Sequence, residues 1–389
     1  MNLPGLAHTT VPGADPRPAA LRALLALAVV FIMLATTGWT AVHRPEGGTP
    51  LRATALDAWS KARLDGRPVP PAADGYPLVV GNLDGVPVAT RYRANQHGLE
   101  KARLVEEARS RDVALTPADR AEANRRSHRF ASLAEPGRQI LAFDPTGGGQ
   151  VAEVFGDLVG AERVSVIVPG VDTDLLTFER TQRRLTSPVG MAEALYGAER
   201  AAAPNSRTAV IAWAGYTAPT GVGMDAATGR MAFDGAVRLK ALTVSLPGNS
   251  SVALFCHSYG SVVCGVAAHE LPNRVTDVVV AGSPGMRAEN VAGLRTSARV
   301  WATRDEGDWI ADVPHLEVGG LGHGADPVSP DFGARLLSSA RAKNHTGYFA
   351  PGTDSVANFA KIGTGAFASV VCATGDDACR RGISGTERD

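Results

Sequence analysis

The sequence predicts an α/β protein with a mostly parallel, doubly wound sheet, and three observations predict it. Short apolar runs alternate with helical stretches through the second half of the chain. Those runs are almost continuously apolar, as strands covered on both faces are. One of them, Val252-Ala253-Leu254-Phe255, leads into Cys256-His257-Ser258-Tyr259-Gly260-Ser261. An apolar, alanine-bearing helix pattern then runs from Val262 to His269. Strand, sharp turn and helix in that order present the turn serine at the edge of a sheet.

Residues 1–22 read as a cytosolic tail. Ala23–Val42 is nearly uncharged and long enough for a hydrocarbon core of about 30 Å. Arg17 and Arg22 precede it, which leaves Arg44 onward on the outer side. A cleaved signal peptide is the rival, since Ala23–Leu34 suits an h-region, although no clean small-x-small cleavage site follows. A buried core helix ranks third, because the flanks are polar and carry proline. The chain is therefore expected at the cell membrane, single-pass with its bulk outside, or secreted.

His43–Pro50 reads as a linker and residues 51–135 as a helical N-terminal region. Within it Glu100–Arg109 is amphipathic, and Thr116-Pro117-Ala118-Asp119 marks a helix start with proline at the first helical position. Residues 136–370 carry the alternating elements. Gln139–Phe143 reads as an edge strand, closed by Asp144-Pro145 and by Gly147-Gly148-Gly149. No Gly-Lys-Ser/Thr follows that triple glycine, so it reads as a hairpin or loop rather than a phosphate cradle. Arg163–Val168 is the expected central strand, followed by Thr208–Trp213, Val252–Phe255, Val275–Ala281 and Ala298–Ala302. Gly190–Ala203 and Arg230–Ser245 read as helices between strands, with a final helix from about Ser355. Residues 371–389 form a tail in which Cys372 and Cys379 bracket a short loop suited to a disulfide outside the cytosol. Cys256 and Cys264 read either as a bridge or as two buried free thiols.

In sheets of this kind ligands bind beyond the carboxyl ends of the strands. Ser258 is the candidate nucleophile, and its neighbours follow the pattern G-x-S-x-G except that Cys256 stands at the first glycine. The Tyr259 amide is one candidate oxyanion donor. The loop Pro169-Gly170-Val171 after the central strand supplies the others, at Gly170 and Val171. After the last strand, Thr303–Ile310 holds two candidate acids. Asp308 is preferred to Asp305 because it precedes Trp309-Ile310, an apolar pair expected to pack the loop down. Of the histidines after the acid, His345 sits in a loop before the last helix, as a general base for Ser258 requires. His257, beside the serine, cannot fold back as its base and reads as packing on the sheet. His315 and His323, with Glu317 and Asp326, are a weaker metal-site alternative, so neither metal nor any other cofactor is expected.

With those residues in hand, the chain resembles a family of α/β-hydrolase-fold proteins of unassigned function found mainly in actinobacteria. Gly81-Asn82-Leu83-Asp84-Gly85-Val86-Pro87, with Arg91 and Asn95, looks like the family's N-terminal signature. Val168-Pro169-Gly170 with Thr173, and Trp213-Ala214-Gly215-Tyr216 with Pro219, look like its loops after central strands. His257–Ser261 looks like its elbow, Gly282-Ser283-Pro284-Gly285 like its next strand end, and His345-x-x-Tyr348 like its terminal histidine motif. The likeness spans roughly residues 75–365. It implies an α/β-hydrolase fold and a Ser-Asp-His hydrolase, and it carries over to Ser258 and His345; the family gives no substrate.

Together these readings predict an exported or membrane-anchored serine hydrolase acting on a small-molecule or lipid ester through an acyl-enzyme. An alcohol acceptor would make the same site an acyltransferase. A non-catalytic binding protein that keeps the fold at the cell envelope is the rival from another class. Lys plus Arg equal Asp plus Glu at 39 each, and no basic block carries interleaved aromatics, so a nucleic-acid partner is not expected. Residues 51–130 and the glycine-bearing segment Thr217–Gly235 are candidates for a lid or substrate-shaping surface.

Overall fold

The computed structural model describes residues 75–373 and 377–383, with the backbone of a two-residue-stranded hairpin at Arg63–Leu64 and Arg67–Pro68. The expected tail, the apolar segment 23–42, the linker 43–50 and most of 51–74 lie outside the described residues. Among the described residues no helix is long and apolar enough to cross a membrane.

Helices α1 (Val88–Arg111) and α2 (Pro117–Leu133) precede the sheet. Thr116 caps α2 by accepting a hydrogen bond from the Asp119 amide at 3.1 Å, and Pro117 occupies the first turn, where no N–H is needed. The Asn95 amide group of α1 donates to the carbonyls of Gly81 and Ile140 at 3.1 and 2.9 Å, which docks the helix on the first strand. A Cβ on Gly81 would stand 1.9 Å from Asn95 Oδ1, so only glycine fits there.

The strands are β1 (Gln139–Asp144), β2 (Gln150–Gly156), β3 (Arg163–Val168), β4 (Thr208–Ala214), β5 (Ser251–His257), β6 (Val275–Ala281), β7 (Arg299–Thr303) and β8 (Arg335–Leu336). They form one sheet in the order β8-β7-β6-β5-β3-β4-β2-β1. Only β2 runs against its neighbours; every other pair is parallel. Parallel strands need crossovers: α3 (Pro188–Ala202) and α5 (Gly260–Ala267) join the neighbours β3–β4 and β5–β6, and α4 (Arg230–Ser245) carries the chain from β4 past β3 to β5. A last helix, α6 (Asp354–Thr364), follows β8.

Two cores result, one on each face. Val252, Leu254 and Cys256 of β5 join Leu239 of α4 and Val262 of α5. Ala253 and Phe255 join Leu195 of α3, Phe359 of α6 and Phe130 of α2. This period-two alternation decides which face each residue near the nucleophile meets.

Two strands escape the sequence pattern. β2 is interrupted by Glu153, a charge that hides its apolar run; in the fold that carboxylate is buried and paired with Arg138. The triple glycine is the turn of the β1–β2 hairpin, with Gly147 and Gly149 at φ 57° and 80°. β8 is a two-residue edge strand with no pattern to read.

Candidate active site

Ser258 follows β5 with φ 54°, a left-handed conformation that costs a non-glycine residue free energy and points its side chain off the sheet. Its amide donates to the Ala281 carbonyl of β6 at 3.0 Å, and Ser261 Oγ donates to the Cys256 carbonyl at 3.2 Å, closing the turn from both sides. The tight approaches fall at two glycines. A Cβ on Gly260 would lie 2.2 Å from the Val168 carbonyl oxygen, and one on Gly265 would lie 2.0 Å from that of Met286. The position of Cys256 is not so confined. Its sulfur turns into the core under α5 and is disulfide-bonded to Cys264, with the Cα atoms 6.5 Å apart. A covalent tie between strand end and helix thus stands where the usual pattern has only a small residue. Cys372 and Cys379 are likewise bonded.

Beyond β7, Asp308 caps a short 3-10 turn, Trp309–Asp312, by accepting the Ile310 amide at 2.9 Å. The same buried carboxylate meets His345 Nδ1 with its two oxygens at 2.9 and 3.0 Å. Tyr348 donates its hydroxyl to Asp308 Oδ2 at 2.5 Å and accepts the Asp305 amide at 3.0 Å. Burial alone would push the Asp308 carboxyl up, but the bonds from His345, Tyr348 and Ile310 outweigh it and hold the group below the ordinary aspartate value. Burial, then the bond to Asp308, pushes the Tyr348 phenol up, so it stays a donor. Since a carboxylate only accepts, His345 Nδ1 carries the hydrogen, and in the neutral imidazole that leaves the lone pair on Nε2. Gly282, at φ 56°, lies under this contact; a Cβ there would stand 2.7 Å from Asp308 Oδ2 and 3.0 Å from His345 Nδ1.

Asp305 does not reach the ring. Its carboxylate accepts the amides of Gly307 and Asn344 at 3.1 and 2.9 Å and so holds the loop that carries His345. Trp309 departs from the expected packing: Ile310 is buried, but Trp309 is 45 % exposed and its ring stands 4.8 Å from that of His345. Among the described residues no hydrogen bond joins Ser258 to His345.

The loop after β3 comes directly against the serine, for a Cβ on Gly170 would lie 2.7 Å from Ser258 Cβ. Tyr216 donates its hydroxyl to the Pro169 carbonyl at 2.7 Å. Asp172, at φ 58°, donates its amide to the Pro219 carbonyl at 2.8 Å and accepts the Gly221 amide at 2.7 Å. Among the described residues the amides of Gly170, Val171 and Tyr259 have no protein acceptor. Tyr216 and Tyr348 stood in the sequence only as parts of a family resemblance; their roles needed partners far away in the chain.

His315 and His323 do not converge. His323 Nε2 bonds the Ala226 carbonyl at 2.7 Å, while His315 lies 3.7 Å from Asp326. Among the described residues no group of three His, Cys, Asp or Glu side chains is disposed to hold a metal ion.

A sequence profile described as alpha/beta hydrolase matches residues 144–318. With the strand order above, that decides the architecture. The fold is that of an alpha/beta hydrolase. The chain is 26 % identical over 348 residues to uncharacterized protein Rv2079 of Mycobacterium tuberculosis (strain ATCC 25618 / H37Rv), covering 75 % of this chain and 52 % of that one. Uncharacterized protein MT2140 of strain CDC 1551 / Oshkosh gives the same values. The chain thus spans about half the length of the curated relatives it matches. Among solved structures, Est1E from Butyrivibrio proteoclasticus is similar at a TM-score of 0.34 and 12 % identity, over 57 % of this chain and 97 % of that one. The 2,6-dihydroxy-pseudo-oxynicotine hydrolase aligns at 0.31 and 11 %, over 73 % and 80 %.

Proposed function

We propose that this chain is a serine hydrolase that cleaves an ester by way of an acyl-enzyme. The observation that carries the reading is a buried Asp308 carboxylate bonded to the partly buried His345, in the loops beside a serine held at φ 54°. Ser258 Oγ attacks the ester carbonyl while His345 Nε2 takes its proton. Asp308 keeps the imidazole in the required tautomer and stabilises the imidazolium. The free amides of Tyr259 and of Gly170 or Val171 receive the negative charge of the tetrahedral oxygen. The imidazolium then protonates the departing alkoxide, and water, deprotonated by the same histidine, releases the acid. Transfer to an alcohol instead of water would use the same groups.

An apolar surface supports an ester with an apolar acyl or alkyl part. Val222, Met224 and Phe233 are exposed in one segment, and Leu316, Val318 and Leu321 in another. A bridge between Thr228 and Leu321 joins the two segments, and the Tyr259 hydroxyl, one residue from the serine, donates to the Thr228 carbonyl at 2.8 Å. Export, by anchor or by signal peptide, is supported by two disulfides among the described residues, since such bonds persist outside the reducing cytosol.

The test is to treat the full chain with a fluorophosphonate probe and map the labelled peptide, with Ser258→Ala and His345→Ala alongside. The expected result is a label on Ser258 in the wild type and none in either variant. A folded but unreactive wild type would replace this reading with that of a non-catalytic binding protein.

A further inference from the structure

His257 is a titratable residue at the site that the ester-cleavage steps do not use. It ends β5, immediately before the nucleophile, and is buried. By the alternation of the strand it follows Ala253 and Phe255 toward the face covered by α6, away from the face that holds Cys256. Its ring centroid lies 4.8 Å from that of His345 and 6.0 Å from that of Tyr348. Its Nε2 stands 2.6 Å from the His345 carbonyl oxygen. A carbonyl oxygen only accepts, so Nε2 carries the hydrogen and donates it.

The loop that receives this bond has little regular structure of its own. Between Leu337 and Thr353 it holds no helix or strand, and Arg341 and Asn344 lie at φ 67° and 58°. Its ties to neighbouring elements lead elsewhere: the Asn344 amide to Asp305, Ser339 Oγ to the Arg304 carbonyl, and Arg341 to Asp354. The Asp308 contact likewise registers His345 against the end of β7. Among the described residues, the His257 bond is the only hydrogen bond between residues 251–259 and residues 338–353.

We propose that His257 is a positioning residue, whose Nε2–H, given to the His345 carbonyl, fixes the base loop against the strand that carries Ser258. It thereby sets the approach of His345 to the serine, and its role rests on the serine-hydrolase reading. The device works only if His257 stays neutral while His345 takes up a proton 4.8 Å away, ring to ring. The groups facing it provide for that. Burial first, and the adjacent His345 second, lower its pKa to about 3, and the opposing pull of its own bond and of Asp308 is too weak to restore it. Tyr348, the remaining titratable neighbour, is held protonated. His257 therefore remains a neutral donor through the whole range in which His345 works as a base.

The test compares His257→Phe, which keeps a flat ring and loses the donor, with His257→Gln, which keeps a donor and cannot titrate. The Phe variant is expected to lose about 10- to 100-fold in kcat, the scale of a small misplacement of a reacting group, with KM little changed. The Gln variant should recover most of that loss. Equal impairment of both variants, with a matching fall in thermal stability, would reduce His257 to core packing. Full kcat in the Phe variant would overturn the role outright. Should the Phe variant not fold, proton NMR of the wild type decides. The role requires an exchange-protected His257 Nε2–H whose shift is constant across neutral pH; a titrating or unprotected His257 overturns it. A wild type inert to fluorophosphonate defeats the hydrolase reading and this role together, whereas a reactive wild type with a fully active Phe variant defeats this role alone.

Discussion

Replacing Glu199 by glutamine should make the protein more stable in mild alkali, and the size of the effect follows from where this carboxyl sits. Glu199 lies on α3 with no exposed surface and accepts a hydrogen bond from Ser165 Oγ of β3 at 2.5 Å. From the other side α6 presses in at Gly363, where a Cβ would come within 2.2 Å of Glu199 Oε1. Burial raises the carboxyl from the ordinary glutamate value of 4.5 to about 7, against the smaller opposing effects of the Ser165 bond and Arg163. Below pH 4.5 the group is protonated in folded and unfolded chains alike, and its contribution to stability is fully present. As pH rises the unfolded chain ionises first, so stability falls until the folded group also ionises near pH 7 and is level above that. Between pH 5 and pH 8 the linked loss is on the order of 2 to 3 kcal/mol. Glu199→Gln cannot ionise and should lack this slope. Urea unfolding of both proteins at pH 5, 6, 7 and 8 measures it, because other titrating groups cancel in the difference. A wild-type-minus-variant stability that does not change with pH would refute the reasoning.

Asp308→Asn should keep Oδ1 on the Ile310 amide and turn its NH2 toward His345 and Tyr348, both donors. The imidazole then takes the other tautomer, and kcat should fall by about 10⁴-fold with the fold intact by circular dichroism; a variant with more than a tenth of wild-type kcat would contradict the Asp308 assignment. Tyr348→Phe removes the hydroxyl on Asp308 Oδ2 and should cost about 2 kcal/mol in unfolding free energy, read by denaturant titration, together with a measurable drop in kcat. Gly282→Ala would drive a methyl into the Asp308–His345 contact; fluorophosphonate labelling of Ser258 should slow far more than thermal stability falls. Removing the Cys256–Cys264 bridge by a double alanine change should lower stability by about 2.5 kcal/mol from loop entropy, and labelling rates with and without reductant will show whether the elbow depends on the bond.

Local pattern was enough to read the order of strands and helices and the place of Ser258 at a strand-to-helix turn, because buried parallel strands are short, apolar and separated by helices whatever their partners. It was enough, too, for the helix start at Thr116, where cap and proline act within one turn. Other features depended on residues far apart in the chain. β2 hid behind Glu153, a charge that makes sense only once Arg138 is laid beside it. Asp308 and Asp305 are three residues apart, and sequence offered only the apolar pair after Asp308 to prefer it; the tertiary structure puts one carboxylate against His345 and the other on the Asn344 amide. The pairing of Cys256 with Cys264 was open until α5 packed back on β5. His257 read as filler on the sheet, since its acceptor is a backbone carbonyl, a group every residue carries and no sequence pattern marks. Sequence alone thus determined most of the segments that form elements, β2 and β8 excepted, and which residue types face their ends, because those depend on neighbours within a few positions. Only the tertiary structure decided which side chains meet, because hydrogen-bond partners 37 to 88 residues apart are chosen by packing and not by proximity along the chain.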